Sequence, residues 1–320
     1  MPETDAKRLQ QHSPLMRVNP FAKDLRRNFQ LYLLVLPALV YFIIFCYAPL
    51  YGAQIAFKEF IPSRGVIGSS WVGFEQFERF FNSYQFKTLF SNTLILSFEN
   101  LFYRFPFPIL LALLLNQLRS QNLKRVIQTV TYAPYFISTA AMCGMVIIML
   151  SPSGGVLYKG FTALSGGKDI GVPLGNPQWF RSIYVISGIW QMTGWEAIIY
   201  IAALTSVSPD LYEAAEIDGA SKFKKIIYID LPTLVPTAVI LLILNAGRIM
   251  SIGFEKVFLL QNSMNLSVSE IISSYVYKIG IMGGEYSYSS AIGLFNSIIN
   301  LILVVGINLV SKKLTDTSLW

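Results

Sequence analysis

Six stretches of this chain are long enough and poor enough in charge to cross a bilayer, a task that takes roughly 20 mainly apolar residues in helical form. They lie within Asn28 to Phe57, Thr88 to Leu118, Arg125 to about Leu150, Ser182 to Val207, Leu234 to Phe254 and Ser287 to Ser311. The first and last contain no charged residue, the second contains Glu99 and Arg104, the fourth Glu196 alone and the fifth Arg248 alone. Only 13% of the 320 residues are charged and 53% are hydrophobic, against about 25% charged in soluble domains. A water-soluble globule is therefore excluded, and an all-α integral membrane protein is expected, because helices satisfy their backbone internally in hydrocarbon. The first run is too long for a signal-peptide core and lacks a small-residue cleavage site, so it is expected to remain as a span.

An even number of spans puts both termini on one side, and the positive-inside rule selects the cytoplasm. Lys7, Arg8, Arg17, Lys23, Arg26 and Arg27 precede the first span, Arg119, Lys124 and Arg125 join the second to the third, and Lys312 and Lys313 follow the last. The segments around 62–87, 153–181 and 255–285 are poorer in Lys and Arg per residue and are expected to form outward loops. Residues 1–27 read as a basic cytoplasmic tail and 28–320 as one membrane domain in the cell membrane. The net charge of +7 is collected between apolar runs without forming a basic face, so no nucleic-acid partner is expected. Pro37, Pro49, Pro106, Pro108 and Pro134 fall within spans, where each removes a donor and favours a kink or break.

Several chemistries lack their residues. The one histidine, His12, lies in the tail, and the two cysteines, Cys46 and Cys143, lie in apolar runs, so neither a metal cluster nor a disulfide framework nor a Ser/His/Asp arrangement is expected. A phosphate-binding Gly-x4-Gly-Lys-Ser/Thr loop is also missing, since Gly167-Lys168 is followed by Asp169 and Thr162 stands where the first glycine belongs. No catalytic residue, metal or resident cofactor is assigned.

The cytoplasmic segment 206–236 has a different character. Ser208 or Asp210 can cap a helix opening near Leu211, Gly219 can end it in a left-handed turn, and an amphipathic piece from Lys222 to Ile229 leads to Pro232, where a helix should stop. Glu213-Ala214-Ala215, three residues, Gly219, nine residues, then Ile229-x-Leu231-Pro232 resembles the EAA loop of binding-protein-dependent ABC importer permeases. Leu36-Pro37 with Tyr47-x-Pro49, Trp71-Val72-Gly73-Phe74, Asn92-Thr93-Leu94, Trp179-Phe180, Trp190-Gln191 and Gly293-Leu294-Phe295 are similar to the carbohydrate-uptake branch, within it the poly- or oligosaccharide subfamily.

The resemblance implies six transmembrane helices of the type I ABC importer permease fold, a second and unequal permease subunit, two ATPase subunits that bind ATP and Mg, and an extracytoplasmic binding protein that delivers an oligosaccharide. It also implies that the loop is a coupling helix docking on an ATPase. Small Ala214, Ala215, Gly219 and Ala220 suit close approach, and Glu213, Asp218 and Lys222 offer charge pairs that set register.

Ionisable groups at membrane depth cost about 2.5–3.5 kcal/mol on insertion scales and should face protein or a cavity. Glu99, Trp190, Gln191, Trp195, Glu196, Asn245 and Arg248 supply the flat apolar faces and hydrogen-bonding groups of a sugar pathway, although aromatics at these positions also serve plain helix packing. Trp71 to Phe81 and Tyr275 to Tyr288 are aromatic segments suited to interfacial packing or to a binding protein. The competing readings are the same machine carrying another solute, a proton-coupled carrier using Glu99 and Glu196, and a polysaccharide-processing enzyme with those two residues as its carboxylate pair.

Overall fold

The computed structural model describes Asp24, residues 27–247 and residues 249–315. The basic tail falls almost wholly outside the described residues. The chain divides into two compact units, the first ending at Gln54 and the second beginning at Ile55. The first holds α1 (Phe29–Tyr41), which passes through Pro37 without ending and continues as a π-helical turn at Phe42–Tyr47.

In the second unit a two-stranded antiparallel ribbon pairs β1 (Lys58–Glu59) with β2 (Ser70–Trp71). The helices that matter below are α2 (Glu75–Phe81), α3 (Gln85–Arg104), α4 (Pro106–Asn116), α5 (Gln121–Tyr132), α6 (Thr139–Met149) and α7 (Pro177–Leu204). They are followed by α8 (Pro209–Ile217), α9 (Lys222–Lys225), α10 (Leu231–Ala246), α11 (Phe254–Leu260), α12 (Ile272–Val276) and α13 (Tyr286–Thr315).

Among the described residues four helices have the length and apolarity to cross a membrane: Phe29–Phe57, Gln85–Asn116, Lys222–Ala246 and Tyr286–Lys313. The stretch Gln121–Phe136 with Thr139–Met149 is bent by 98° and makes a fifth if counted as one span. At 28 residues α7 is about 42 Å long, ample for a span, but Gln178, Arg181, Gln191 and Glu196 lower its apolarity.

The prolines behave unequally. At Pro134 the helix gives way to a 3-10 turn, Ala133–Phe136, and then bends. Pro106 and Pro108 cause no break: Phe105 keeps helical dihedrals, φ −54° and ψ −40°, and its N–H still reaches Leu101 O at 3.0 Å. Nor does the helix stop at Pro232. A π-helical turn at Ile226–Asp230 lets the Leu231 N–H reach back five residues to Ile226 O, which relieves the clash a proline ring makes with an ordinary helical turn. Lys222–Ala246 is consequently one 25-residue helix.

The segment 255–285, expected to face outward, packs against the helices. Val257, Leu260 and Ile271 are fully buried with Leu96, Met142 and Phe180 of α3, α6 and α7. Short helices leave many backbone groups unpaired, and buried amides satisfy them. Asn265 donates to Leu174 O (2.8 Å) and Leu260 O (3.2 Å), while Asn92 donates to Ser267 O (2.9 Å) and Glu270 O (3.2 Å). Thr93 Oγ1 accepts from Ile272 N at 2.9 Å. Asn92-Thr93 thus clamps this segment to α3. Near the aromatic stretch before α3, Phe77 and Phe80 are buried, whereas Trp71 stacks on Phe57 at 5.6 Å and stays 63% exposed.

Candidate functional site

Two features stand out: a cavity between the helices and the helix–turn–helix unit formed by α8 and α9. The cavity, of about 750 Å³, is walled by matching helical stripes. On α3 and α4 the stripe runs Ser97, Asn100, Leu101, Arg104, Pro108, and on α7 it runs Tyr184, Gly188, Gln191, Met192, Trp195, Glu196, each at the three- and four-residue spacing of one helix face. Asn245 of α10, Tyr135 at the bend before α6, and Glu255 and Lys256 of α11 also line it.

Arg104 and Glu196 form a two-point ion pair, with Nε donating to Oε2 at 3.2 Å and Nη2 to Oε1. Both side chains are about a quarter exposed, at 23% and 28%, so the pair faces the cavity with each charge compensated. Beside it Trp195 lies flat on Tyr135, centroids 4.2 Å apart and planes 1° from parallel, with Phe136 edge-on.

Not every expected pathway residue arrives here. Glu99 sits five residues from Arg104, about 140° around the helix, and lines a separate recess with Tyr103, Phe107 and Arg181. Trp190 is off the α7 stripe and 49% exposed, outside the cavity. Gln191 reaches it, but its Nε2 donates to Ile137 O at 3.0 Å, capping a carbonyl freed at the bend between α5 and α6. Arg248 lies outside the described residues. Glu99 and Glu196 therefore do not share a cavity, and these two residues do not form the carboxylate pair that the hydrolytic reading needs.

Lys256 is not among the sequence-predicted site residues, because its segment reads as a loop. It is 8% exposed, its Nζ donates to Tyr184 O at 2.6 Å and lies 4.4 Å over the Tyr184 ring. The usable signal is a lysine next to Phe254 and Val257-Phe258-Leu259-Leu260, too apolar a setting for an exposed loop.

In the helix–turn–helix unit Ser208 caps α8, accepting from Asp210 N at 3.3 Å. Gly219 has φ +72°, Ala220 N bonds Ala215 O at 2.8 Å and Gly219 N bonds Glu216 O at 3.0 Å, the paired hydrogen bonds of a Schellman close. Glu213, Ala214, Asp218 and Lys222 are exposed, Ala215 and Ala220 half-buried. Leu211, Ile217, Phe223 and Tyr228 also stay exposed, at 54%, 87%, 70% and 76%. Lys225 bridges to Glu216 at 2.6 Å and holds its carboxyl below the usual range. Ile229 is half-buried and Leu231 and Pro232 are exposed on the continuous helix into α10. Burial, then a hydrogen bond to Asp230, raises the Tyr212 hydroxyl to about 12, so it stays a donor at physiological pH.

Comparison with known proteins agrees with this geometry. Residues 104–316 match the family described as binding-protein-dependent transport system inner membrane component. The chain is 43% identical over 296 residues to Protein LplB of Bacillus subtilis (strain 168), covering 92% of each. It is 42% identical to the polygalacturonan/rhamnogalacturonan transport system permease protein YteP of the same organism, over 91% of this chain and 90% of that one. A bacterial alginate ABC transporter, crystallised in complex with an alginate pentasaccharide-bound periplasmic protein, contains a chain that superposes with a TM-score of 0.85 at 39% identity, covering 93% of this chain and 99% of that one. The chain belongs to the family of binding-protein-dependent transport system inner membrane components, the multi-pass, non-catalytic permease subunits of ABC importers.

Proposed function

We propose that this chain is the six-span permease subunit of an ATP-driven importer that takes an oligosaccharide from an extracytoplasmic binding protein and releases it into the cytoplasm by alternating access. The six spans are the four apolar helices, the bent pair and α7, with both termini cytoplasmic on the Lys/Arg asymmetry. Relatives named for polygalacturonan, rhamnogalacturonan and alginate support a saccharide cargo. Stacked Trp195 and Tyr135 offer flat faces for sugar rings, and Glu196, Arg104 and Asn245 offer hydrogen bonds. A second, unequal permease and two ATPase subunits complete the assembly within the membrane lipid.

The observation that carries the reading is the α8–Gly219–α9 unit, exposed at its tip and continuous with α10. We assign ATPase docking to Glu213, Ala214, Ala215, Asp218, Gly219, Ala220 and Lys222, with Ile229, Leu231 and Pro232 leading the lever into the membrane. Affinity purification from native membranes with mass spectrometry and an ATPase assay tests it. Gly219→Asn tolerates a left-handed φ, while Gly219→Val strains it by about 1–2 kcal/mol. Wild type and Gly219→Asn are expected to retain an ATPase and a second permease, and Gly219→Val to lose most of both. A chain that purifies alone, or Gly219→Val with wild-type uptake, overturns the assignment.

The Glu216–Lys225 bridge carries a sign. A carboxyl whose folded pKa lies below 4.5 stabilises fully above that value and loses its contribution only as pH falls through the lowered value. ATPase stimulation is therefore expected to respond to Glu216→Gln equally across about pH 6–8, as parallel pH profiles of the two complexes would show.

A further inference from the structure

Asp230 is wholly buried, yet among the described residues no Lys or Arg comes within ion-pair distance of it. Neutral donors from two other elements surround it. Gln117 Nε2 donates to Oδ2 at 2.8 Å, Asn116 Nδ2 to Oδ1 at 3.3 Å, and the Tyr212 hydroxyl donates to the same Oδ1. Asn116 also donates to the Tyr212 oxygen at 3.3 Å, closing the ring. Asn116 and Gln117 end the helix Gln85–Asn116, Tyr212 belongs to α8, and Asp230 lies in the π-helical turn that opens into α10.

This placement matters because α8 has little else to hold it. None of its residues is buried. Among the described residues, the side-chain hydrogen bonds that leave it come from Tyr212 and Glu216, and Glu216 bonds only Lys225 of the neighbouring α9. Among the described residues, Tyr212 ties α8 to Asp230 and to Asn116 at the end of Gln85–Asn116, while the Glu216–Lys225 bridge ties it to the same helix that holds Asp230. A carboxyl group suits the junction, because both its oxygens accept from the donors around it. Asparagine keeps the shape but turns one acceptor into a donor facing other donors.

We propose that Asp230 is the positioning residue that transmits displacement of α8 to the spans Gln85–Asn116 and Lys222–Ala246, so that ATP turnover changes access to the cavity. The inference rests on the coupling reading above. It concerns the variable position within Ile229-x-Leu231-Pro232.

The test uses the complete importer with its binding protein, in a background carrying Cys46→Ser, Cys143→Ala and the cavity reporter Met192→Cys. N-ethylmaleimide labelling of the reporter is compared with and without ATP and orthovanadate, alongside ATP hydrolysis. In the otherwise wild-type complex trapping is expected to change the labelling rate. Asp230→Asn is expected to keep the subunits together and hydrolysing ATP while the trapping effect falls about tenfold, the scale of one charged hydrogen bond. Gln117→Glu combined with Asp230→Asn returns a carboxylate to the same contact and is expected to restore the effect. Asp230→Asn with a full trapping effect overturns the proposal, and so does dissociation or loss of ATPase that the double variant does not reverse. Absence of ATPase from the wild-type complex instead overturns the coupling reading and the proposal with it.

Discussion

Glu196→Leu is expected to cut the folded-to-misfolded ratio of assembled, detergent-stable protein by about two to nearly four orders of magnitude, corresponding to about 3–5 kcal/mol for breaking a partly buried ion pair from one side. The cause is the arginine left behind. Arg104 directs two donors at Glu196, and without that partner it holds an uncompensated charge at membrane depth, where insertion alone costs about 2.5–3.5 kcal/mol. Arg104→Met is expected to behave similarly, with Glu196 stranded. The double variant Arg104→Met/Glu196→Leu removes both charges and is expected to recover most of the yield, since an apolar pair of similar volume often equals or exceeds a buried salt bridge in stability. Uptake is expected to stay low in the double variant, because the groups facing the cavity are gone. Fluorescence-detected size-exclusion chromatography gives the yield, and uptake by reconstituted complexes separates the two effects. Single variants as stable as wild type would show that the pair contributes nothing to the fold.

The local parts of this architecture are readable in the sequence and the distant ones are hidden. The α8 unit is legible because its determinants lie within a dozen residues: Ser208 as cap, alanines with acids, then Gly219 where only a left-handed residue closes the helix. The pairing of Arg104 with Glu196 cannot be read the same way, since 92 residues separate them and helix spacing points only to near neighbours. Helical geometry alone separates Glu99 from the Arg104 stripe. Pro232 misleads because a proline ordinarily ends a helix, whereas a π turn just before this one lets the helix continue. The segment after α10 misleads more seriously. Its Gly, Ser and Asn content resembles a loop, but Asn262 and Asn265 stand in for missing helical hydrogen bonds and allow irregular backbone to be buried. Composition cannot distinguish an asparagine facing water from one capping a buried carbonyl.

Gly194 gives the second large effect, and its origin is steric. A Cβ there would lie 2.0 Å from Thr131 O, 2.4 Å from Thr131 C and 2.9 Å from Tyr132 N, distances no real side chain tolerates. The obstruction is backbone in the last turn of α5, so no rotamer change can relieve it. Membrane helices gain little from burying apolar surface away from lipid and depend on close approach at small residues. Forcing α7 from α5 strains two neighbouring contacts as well, the Trp195–Tyr135 stack and the Gln191 bond to Ile137 at the bend. Helix propensity alone favours alanine over glycine by about 1 kcal/mol, but overpacking a tight contact costs about 1–3 kcal/mol, so the steric term prevails. Gly194→Ala is expected to lower thermal stability and uptake together, and Gly194→Leu to prevent assembly. Gly144→Ala supplies the control: Gly144 is also helical, with nothing within 4 Å of the point a methyl group would occupy, so only the propensity gain should remain. If thermal unfolding of the purified complexes ranks Gly194→Ala with Gly144→Ala, the helices do not meet at this glycine, and the cavity wall built on α7 must be held in place by other contacts.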